Sequence, residues 1–153
     1  QLLTKTNQFN VTTKRHDDSF ISSIQQRDDW LSYIVRLSDR FGDNGIVMVV
    51  LVACGKDDGI AEIDTFLMSC RVIGRTLEQK IISTISADLR ERGITKLRAS
   101  YVRTRKNDLV SNLFDDLGFS EMSSSQEGKT YQLDLMHDVI VDSEFIEITW
   151  GRS

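Results

Sequence analysis

The sequence predicts an α+β domain whose mixed, mostly antiparallel sheet of about six to seven strands is flanked by helices. Three observations lead to this class. Apolar stretches of strand length, separated by glycine-containing turns, follow one another over residues 30–70. A stretch with helical period then covers residues 76–91, and shorter strand and helix patterns alternate up to residue 135. The chain has 153 residues, 40% of them hydrophobic, which suits one domain with one core.

The N-terminal residues carry weaker patterns. Residues 1–12 are polar, show no period and predict a linker, with a short strand expected over Val11–Arg15. Asp17 lies where an N-cap would precede a short helix at Phe20–Ile24. Because the chain begins with Gln1 rather than Met, we expect it to be a piece of a longer protein.

A three-stranded antiparallel meander is predicted next. Trp30–Leu37 is rich in strand-forming residues, and Gly42–Gly45 (Gly-Asp-Asn-Gly) is a strong turn signal. The run Ile46–Cys54 is apolar throughout, which is typical of a strand buried on both faces. Lys56–Gly59 predicts a second turn and Ile60–Met68 a third strand.

The second half of the chain predicts two helices with a strand between them. The first helix begins near Thr76 and ends at Gly93, with apolar residues at helical spacing: Leu77, Ile81, Ile82, Ile85 and Leu89. Leu97–Val102 is the strand that follows. A second helix is expected to begin at Asn107–Asp108 and to end at Gly118.

The C-terminal part predicts a hairpin and a final strand. Phe119–Met122 and Thr130–Leu135 form the hairpin around Gly128, and Phe145–Trp150 alternates like an edge strand. The predicted order is therefore β-α-β-β-β-α-β-α-β-β.

Composition excludes several classes of function. The net charge is −4 and the 19 basic residues do not form a strong cluster, so nucleic-acid binding is not expected. No apolar run reaches the roughly 18 residues that a membrane-spanning helix needs, and the absence of proline excludes a proline-rich linker. The two cysteines suit a reducing cytosol, and the hairpin register makes a Cys54–Cys70 disulfide unexpected. Two histidines and two scattered cysteines give no zinc-binding spacing, so no metal is implied.

The segment that points to chemistry is the connection between the third meander strand and the long helix. That strand ends at Ser69-Cys70, and Arg71–Thr76 opens the helix. Free N–H groups at a helix N-terminus attract phosphate. Gly74 would allow close approach of an anion, and Arg71 and Arg75 add positive charge. The alternative is a plain connection with solvated arginines.

Two motifs resemble those of GNAT-type N-acetyltransferases. Arg71-x-x-Gly74-x-Thr76 resembles the pyrophosphate-binding loop of that family, with Thr76 in place of the usual Gly or Ala. The second motif is similar to the family's later helical segment, Asn107-x-x-Val110-x-x-Leu113-Phe114-x-x-Leu117-Gly118-Phe119. The resemblance covers about residues 11–135 and implies a GNAT-like fold.

A closer resemblance is to the FkbH-like proteins of the HAD superfamily, subfamily IIIC. It rests on four blocks in order: Lys5–Thr13, Ser38–Gly45, Asp64–Arg75 and Lys106–Asn107. In that family a HAD-type domain precedes a GNAT-like domain and serves polyketide or capsule and surface-glycan synthesis. The resemblance implies that residues 1–12 are a linker from an absent upstream HAD-like domain and residues 13–153 a single GNAT-like domain. The HAD nucleophile motif does not occur in this chain.

The resemblance implies acetyl-CoA or another acyl-CoA, or a phosphopantetheine-linked acyl group, as the ligand. In a GNAT site the pantetheine arm lies in a gap between the fourth and fifth strands and the pyrophosphate rests on the loop. The implied binding residues are Leu67, Met68, Ser69, Arg71, Val72, Ile73, Gly74, Arg75, Thr76, Asn107 and Phe114. For Asn107 a role as helix cap is the alternative.

Candidate catalytic residues lie on the strand before the loop. Glu62 is the first candidate base and Asp64 the second, because alternation along a strand puts both on one face. Two solvent-facing carboxylates are the alternative. Cys70 beside Arg71 could be a nucleophile or a packing thiol. The tyrosine that serves as the family's general acid falls on Phe114, which has no proton to donate.

Two functions of different class follow. The first is an acyltransferase of the GNAT type. The second is a non-catalytic module that recognises an acyl carrier protein or braces the upstream HAD-like domain, and Phe114 motivates it. A dimerisation or scaffolding role through the tail strand is a third possibility. A cytoplasmic location and no membrane partner are expected.

Overall fold

The computed structural model describes residues 10–14, 16–69, 72, 76–143 and 146. The helical elements are α1 (Asp18–Gln25), α2 (Leu77–Glu91), a 3-10 turn (Asp108–Val110) and α3 (Leu113–Asp116). The strands are β1 (Trp30–Asp39), β2 (Gly42–Cys54), β3 (Ile60–Met68), β4 (Lys96–Val102), β5 (Ser120–Ser124) and β6 (Gly128–Asp134). They form one six-stranded sheet in the order β1-β2-β3-β4-β6-β5. Among the described strands only β3 and β4 pair in parallel, so the mixed α+β sheet is confirmed.

The predicted meander is confirmed, but its first turn lies elsewhere. The chain turns at Arg40–Phe41, and the predicted turn Gly42–Gly45 is the beginning of β2. Asp39 accepts a hydrogen bond from the Phe41 N–H at 2.8 Å, which stabilises the earlier turn. Gly45, at a φ of 71°, lies where the register between the two strands shifts. The glycines therefore bend the hairpin rather than close it.

Strand β2 is buried on both faces, as its unbroken apolar run predicted. Its residues 47–52 are all buried. Alternate side chains face two layers because a strand has a period of two residues. The larger layer packs against α2 and includes Met48 and Val50, and the smaller packs against α1 and includes Val49 and Leu51.

Helix α2 covers the larger face of the sheet. The five apolar residues that predicted it are all buried: Leu77, Ile81, Ile82, Ile85 and Leu89. Gly93, at a φ of 78°, follows its C-terminus as predicted. Thr76 occupies the N-cap position at a φ of 62° but makes no capping hydrogen bond, since its hydroxyl bonds that of Ser143 instead. The hydroxyl of Tyr33 in β1 donates to Asp88 at 2.7 Å and links sheet to helix.

The other helices are short. Asp17 caps α1 as predicted, because its carboxylate accepts from the Phe20 N–H at 2.9 Å. The helix expected from Asn107 is split into the 3-10 turn and α3. Gly118 follows α3 at a φ of 87°. No helix in the described part of the chain has the length and apolar character needed to cross a membrane.

The two ends of the chain differ from expectation. The predicted strand at Val11–Arg15 is not observed over residues 10–14, where Asn10 alone forms an isolated antiparallel bridge with Leu67. Residues 10–12, assigned to a linker from the sequence, are buried inside the fold. The predicted strand Phe145–Trp150 lies outside the described residues except for Ile146.

Candidate active site

The candidate site begins where the parallel pair of strands separates. Strands β3 and β4 pair only over Ile60–Glu62 and Lys96–Arg98. The register between β2 and β3 shifts at the next step, so Asp64 lies at an irregularity of the bulge type. A bulge bends its strand, and β3 leaves β4 from this point. We call the space between residues 63–68 of β3 and residues 99–102 of β4 the gap.

The gap holds the N-terminal part of the described chain. The Val11 N–H donates to the Phe66 carbonyl of β3 at 3.1 Å, and the Val102 N–H of β4 donates to the Val11 carbonyl at 3.0 Å. Val11 therefore bridges the two separated strands. Its side chain is completely buried in the main core, and Asn10 and Thr12 on either side are also buried. We call residues 10–14 the gap segment.

Asn107 fixes the gap segment to β4. Its Nδ2 donates to the carbonyls of Asn10 (3.2 Å) and Val102 (2.7 Å), and its Oδ1 accepts from the Thr104 N–H (2.8 Å) and the Tyr101 hydroxyl (3.1 Å). The side chain is fully buried. It lies at the N-cap position of the 3-10 turn but makes no capping bond, because its amide is used in these four contacts.

Asp64 collects three donors at the closed end of the gap. Lys14 Nζ and His16 Nε2 each lie 2.8 Å from its carboxylate, and the Thr65 hydroxyl donates to it at 2.8 Å. Burial alone would raise the pKa of Asp64, but these hydrogen bonds outweigh it and lower the pKa. A carboxylate held in this way is a weak proton acceptor.

Glu62 has a different environment. Its side chain is exposed, and its backbone lies in the last pair of the parallel ladder, opposite Arg98. Its sequence neighbours Ala61 and Ile63 are both buried in the core, so Glu62 points away from α2. Glu62 is therefore a carboxylate open to solvent at the point where the strands part.

The strand residues expected to bind the pantetheine arm border the gap. Leu67, Met68 and Ser69 are all buried, and the Ser69 N–H donates to Val47 of β2 at 2.8 Å. Successive backbone groups point to opposite sides of a strand. The peptide groups of Met68 and Phe66 therefore face the gap.

The loop that was expected to bind pyrophosphate is described only in part. Val72 is buried in the main core, and its N–H donates to the Ser69 carbonyl at 3.2 Å. Thr76 stands at the N-terminus of α2. The remaining loop candidates lie outside the described residues: Cys70, Arg71, Ile73, Gly74 and Arg75.

Phe114 lies in the core and not at a solvent-accessible surface. It is 1% exposed and packs against Phe66, Phe119 and Tyr131, with ring centroids 6.2, 5.1 and 5.5 Å away. Such an environment suits an apolar ring and supplies no proton. Tyr101, whose hydroxyl contacts Asn107, is also buried, and burial raises its pKa.

Two features of this region were missed at the level of sequence. His16, to which the sequence assigned no role in the site, bonds Asp64 and stacks on Phe20 of α1 with ring centroids 3.9 Å apart. The burial of the gap segment was also missed. The signal available was the alternation of the apolar residues Phe9 and Val11 with polar neighbours.

Comparison with solved structures identifies the fold. The GNAT domain of S. lividans PAT superposes with a TM-score of 0.62 at 18% identity, covering 78% of this chain and 70% of that one. The PaiA N-acetyltransferase of Thermoplasma acidophilum, solved in complex with coenzyme A, gives 0.59 at 11% identity, with 78% and 80% covered. An acetyltransferase from Thermus thermophilus gives 0.59 at 14% identity, with 76% and 71% covered.

Sequence comparisons give no further assignment. No family model matches the chain, and no curated protein matches it either. The structural likeness is consistent over about three quarters of the chain in each of these three cases. The chain therefore has the fold of the GNAT acetyltransferases.

Proposed function

We propose that this chain is an acyltransferase-type domain that takes acetyl-CoA or another acyl-CoA, or a phosphopantetheine-linked acyl group, into the gap between β3 and β4. The observation that carries the proposal is the separation of two parallel strands next to the N-terminus of α2. The complex of one structural neighbour with coenzyme A supports the same ligand class.

The chemistry of the gap suits an extended arm that carries amide groups. The Phe66 carbonyl, the Val102 N–H and the Asn107 amide face the gap and already bind a peptide backbone there. A pantetheine arm offers the same kinds of donor and acceptor. The bound thioester would supply the activated acyl group.

We assign the residues of this chain the following roles. Glu62 is the candidate base, since its exposed carboxylate stands where the strands part. Leu67, Met68 and Ser69 provide the strand edge for the arm. The loop Arg71–Thr76 would hold the pyrophosphate by its N–H groups and its two arginines. Asp64 and Cys70 remain secondary candidates.

Calorimetry of the chain with acetyl-CoA tests the binding part of the proposal. We expect measurable heat with a dissociation constant in the micromolar range. No heat at several hundred micromolar ligand would overturn the CoA form of the proposal. A second titration, with phosphopantetheine in place of acetyl-CoA, separates recognition of the pantetheine arm from recognition of the nucleotide.

Replacement of the candidate base tests the catalytic part. In a thiol-release assay with a panel of amines, Glu62→Gln should lower kcat by about tenfold or more without weakening acetyl-CoA binding. Glu91→Gln, an exposed glutamate at the end of α2, is the matched control and should leave the rate unchanged. Equal rates in both variants would remove Glu62 from this role.

A second function is favoured by one observation. Phe114 falls where the GNAT motif that this chain resembles carries the tyrosine that acts as general acid. Its ring is buried among aromatic rings. A domain without that acid suits a module that recognises an acyl carrier protein or braces an upstream HAD-like domain. If acetyl-CoA binds but no amine in the panel is acylated, this second function is preferred.

The wider context belongs to the same proposal. The resemblance to FkbH-like proteins supports a role in polyketide or capsule and surface-glycan synthesis, with the HAD-like domain and an acyl carrier protein as partners. Pull-down of a carrier protein loaded with phosphopantetheine, with the unloaded carrier as control, tests the partner directly.

A further inference from the structure

We propose that the gap segment, residues 10–14, is an intramolecular occupant of the acyl-donor site, and that the donor's extended arm enters only when this segment leaves. The inference rests on the proposed function, because it concerns the regulation of the same gap. It goes beyond that function by assigning the access step to residues of this chain.

The first argument is that the segment and the arm need the same polar groups. The Phe66 carbonyl accepts from Val11, the Val102 N–H donates to Val11, and Asn107 Nδ2 donates to Asn10. Each of these groups faces the gap and each is occupied. An arm that pairs with the β3 edge cannot form these bonds while the segment keeps them.

The second argument is that the segment fits the gap imperfectly. Asn10 Oδ1 and Thr12 Oγ1 are buried without a hydrogen-bond partner among the described residues. A buried oxygen without a partner loses its hydration and gains nothing in return. Thr13 has a φ of 61°, a left-handed conformation that is strained for a β-branched residue. These three costs lower the free energy needed to release the segment.

The third argument is that the segment is nevertheless held at both ends. Val11 is completely buried among apolar residues of the main core. At the other end Lys14 Nζ lies 2.8 Å from Asp64, with the Lys14 side chain half exposed. The exposed ion pair is a weak tether, so the buried Val11 side chain contributes most of the retention.

Release of the segment would also change the charge around Asp64. The groups that face the Asp64 carboxylate are Lys14, His16 and the Thr65 hydroxyl. Lys14 belongs to the segment and would depart with it, whereas His16 is stacked on Phe20 of α1. When the gap segment leaves, the Asp64 carboxylate at the closed end of the gap therefore loses one neighbouring cation, Lys14.

Substitutions in the full chain test the competition by calorimetry with coenzyme A. Val11→Asp places a charge in the buried position and should expel the segment, so coenzyme A should bind at least tenfold more tightly than to the wild type. Val139→Asp is the matched control, because Val139 is 86% exposed, and its affinity should equal that of the wild type. Lys14→Gln breaks the tether without touching the core and should tighten binding about threefold.

Two further measurements separate the possible results. Adenosine 3′,5′-bisphosphate lacks the pantetheine arm and should bind the wild type and all three variants equally. Hydrogen exchange at the Val11 amide should accelerate in the wild type when coenzyme A is added, because its bond to Phe66 is lost. Circular dichroism verifies folding, and Lys14→Gln decides the question if Val11→Asp does not fold.

The outcomes distinguish this inference from the function on which it rests. If coenzyme A binds the wild type, Val11→Asp and Lys14→Gln with the same affinity, and the Val11 amide stays protected, the competition is refuted while the proposed function stands. If coenzyme A binds none of the folded proteins, the proposed function fails and the inference fails with it.

Discussion

At the scale of single residues, Asn107 joins the gap segment to the end of β4 and the turn that follows it. Its four side-chain hydrogen bonds reach Asn10, Val102, Thr104 and Tyr101. Removing a buried side chain with several partners leaves those partners without bonds. We therefore expect Asn107→Ala to lower the free energy of unfolding by about 2–4 kcal/mol, measured by urea denaturation.

Asn112→Ala is the control for this prediction. Asn112 is exposed at the N-cap position of α3 and makes no capping hydrogen bond. Its replacement should change the free energy of unfolding by about 0.5 kcal/mol or less. Equal destabilisation by the two substitutions would show that the four bonds of Asn107 contribute little.

A second residue-scale prediction concerns pH. Hydrogen bonds from Lys14, Thr65 and His16 hold the pKa of Asp64 below its ordinary value of 3.8, against the opposing effect of burial. A carboxyl whose pKa is lower in the folded state stabilises the fold above pH 3.8, and this contribution is lost as the pH falls through the folded pKa. The wild type should therefore lose this contribution to its stability as the pH falls below about 4.

A substitution shows how much of the acid-induced loss of stability comes from Asp64 rather than from other carboxyl groups. Asp64→Asn should show a shallower acid-induced loss of stability than the wild type when urea midpoints are compared between about pH 5 and pH 2. Asp57→Asn is the control, because Asp57 is exposed and makes no hydrogen bond or ion pair with the described residues. If Asp64→Asn loses stability towards low pH as steeply as the wild type, ionisation of Asp64 is not linked to folding in this way.

At the scale of elements, the contact between β4 and the start of β6 leaves no room for a side chain. Gly128 pairs with Val102 and has a φ of 155°, and a Cβ there would lie 1.9 Å from the Tyr101 carbonyl oxygen. Backbone cannot yield as a flexible side chain can. Gly128→Ala should therefore lower the free energy of unfolding by about 3 kcal/mol or more and move the wall of the gap.

Gly45→Ala is the matched comparison for that strand contact. Gly45 also has a positive φ, 71°, but a Cβ there would have nothing within 4 Å. Its cost should be limited to backbone strain, about 1 kcal/mol. The thermal unfolding temperatures of the two variants separate the cost of the steric clash at Gly128 from the cost of backbone strain. A larger loss of stability for Gly45→Ala than for Gly128→Ala would contradict the role given to the close contact.

The elements also show why some features were predictable from sequence and others were not. The apolar run Ile46–Cys54 identifies β2, since a strand buried on both faces has a local signature. The hairpin turn was misplaced because Gly42 and Gly45 signal positive φ, which a bend inside the hairpin needs as much as a turn does. The burial of residues 10–12 depends on bonds to β3 and β4 and on Asn107, all distant in sequence.

At the scale of the whole molecule, we expect the strands of the sheet to differ in local stability. Strand β2 is buried between two layers of side chains, whereas all five residues of the edge strand β5 are exposed. Strand β5 pairs with β6 alone. The centre and this edge of the sheet should therefore open with different free energies.

Native-state hydrogen exchange in low concentrations of urea measures this difference. Amides of β2 at Val49–Leu51 should exchange only by global unfolding, with a strong dependence on urea. Amides of β5 at Ser120–Ser124 should open locally, with a free energy about 2 kcal/mol or more below the global value and little dependence on urea. The internal control is β6 at Tyr131, a buried residue between β4 and β5 that should follow β2. If β5 amides instead share the urea dependence of β2, the sheet unfolds as one unit up to this edge.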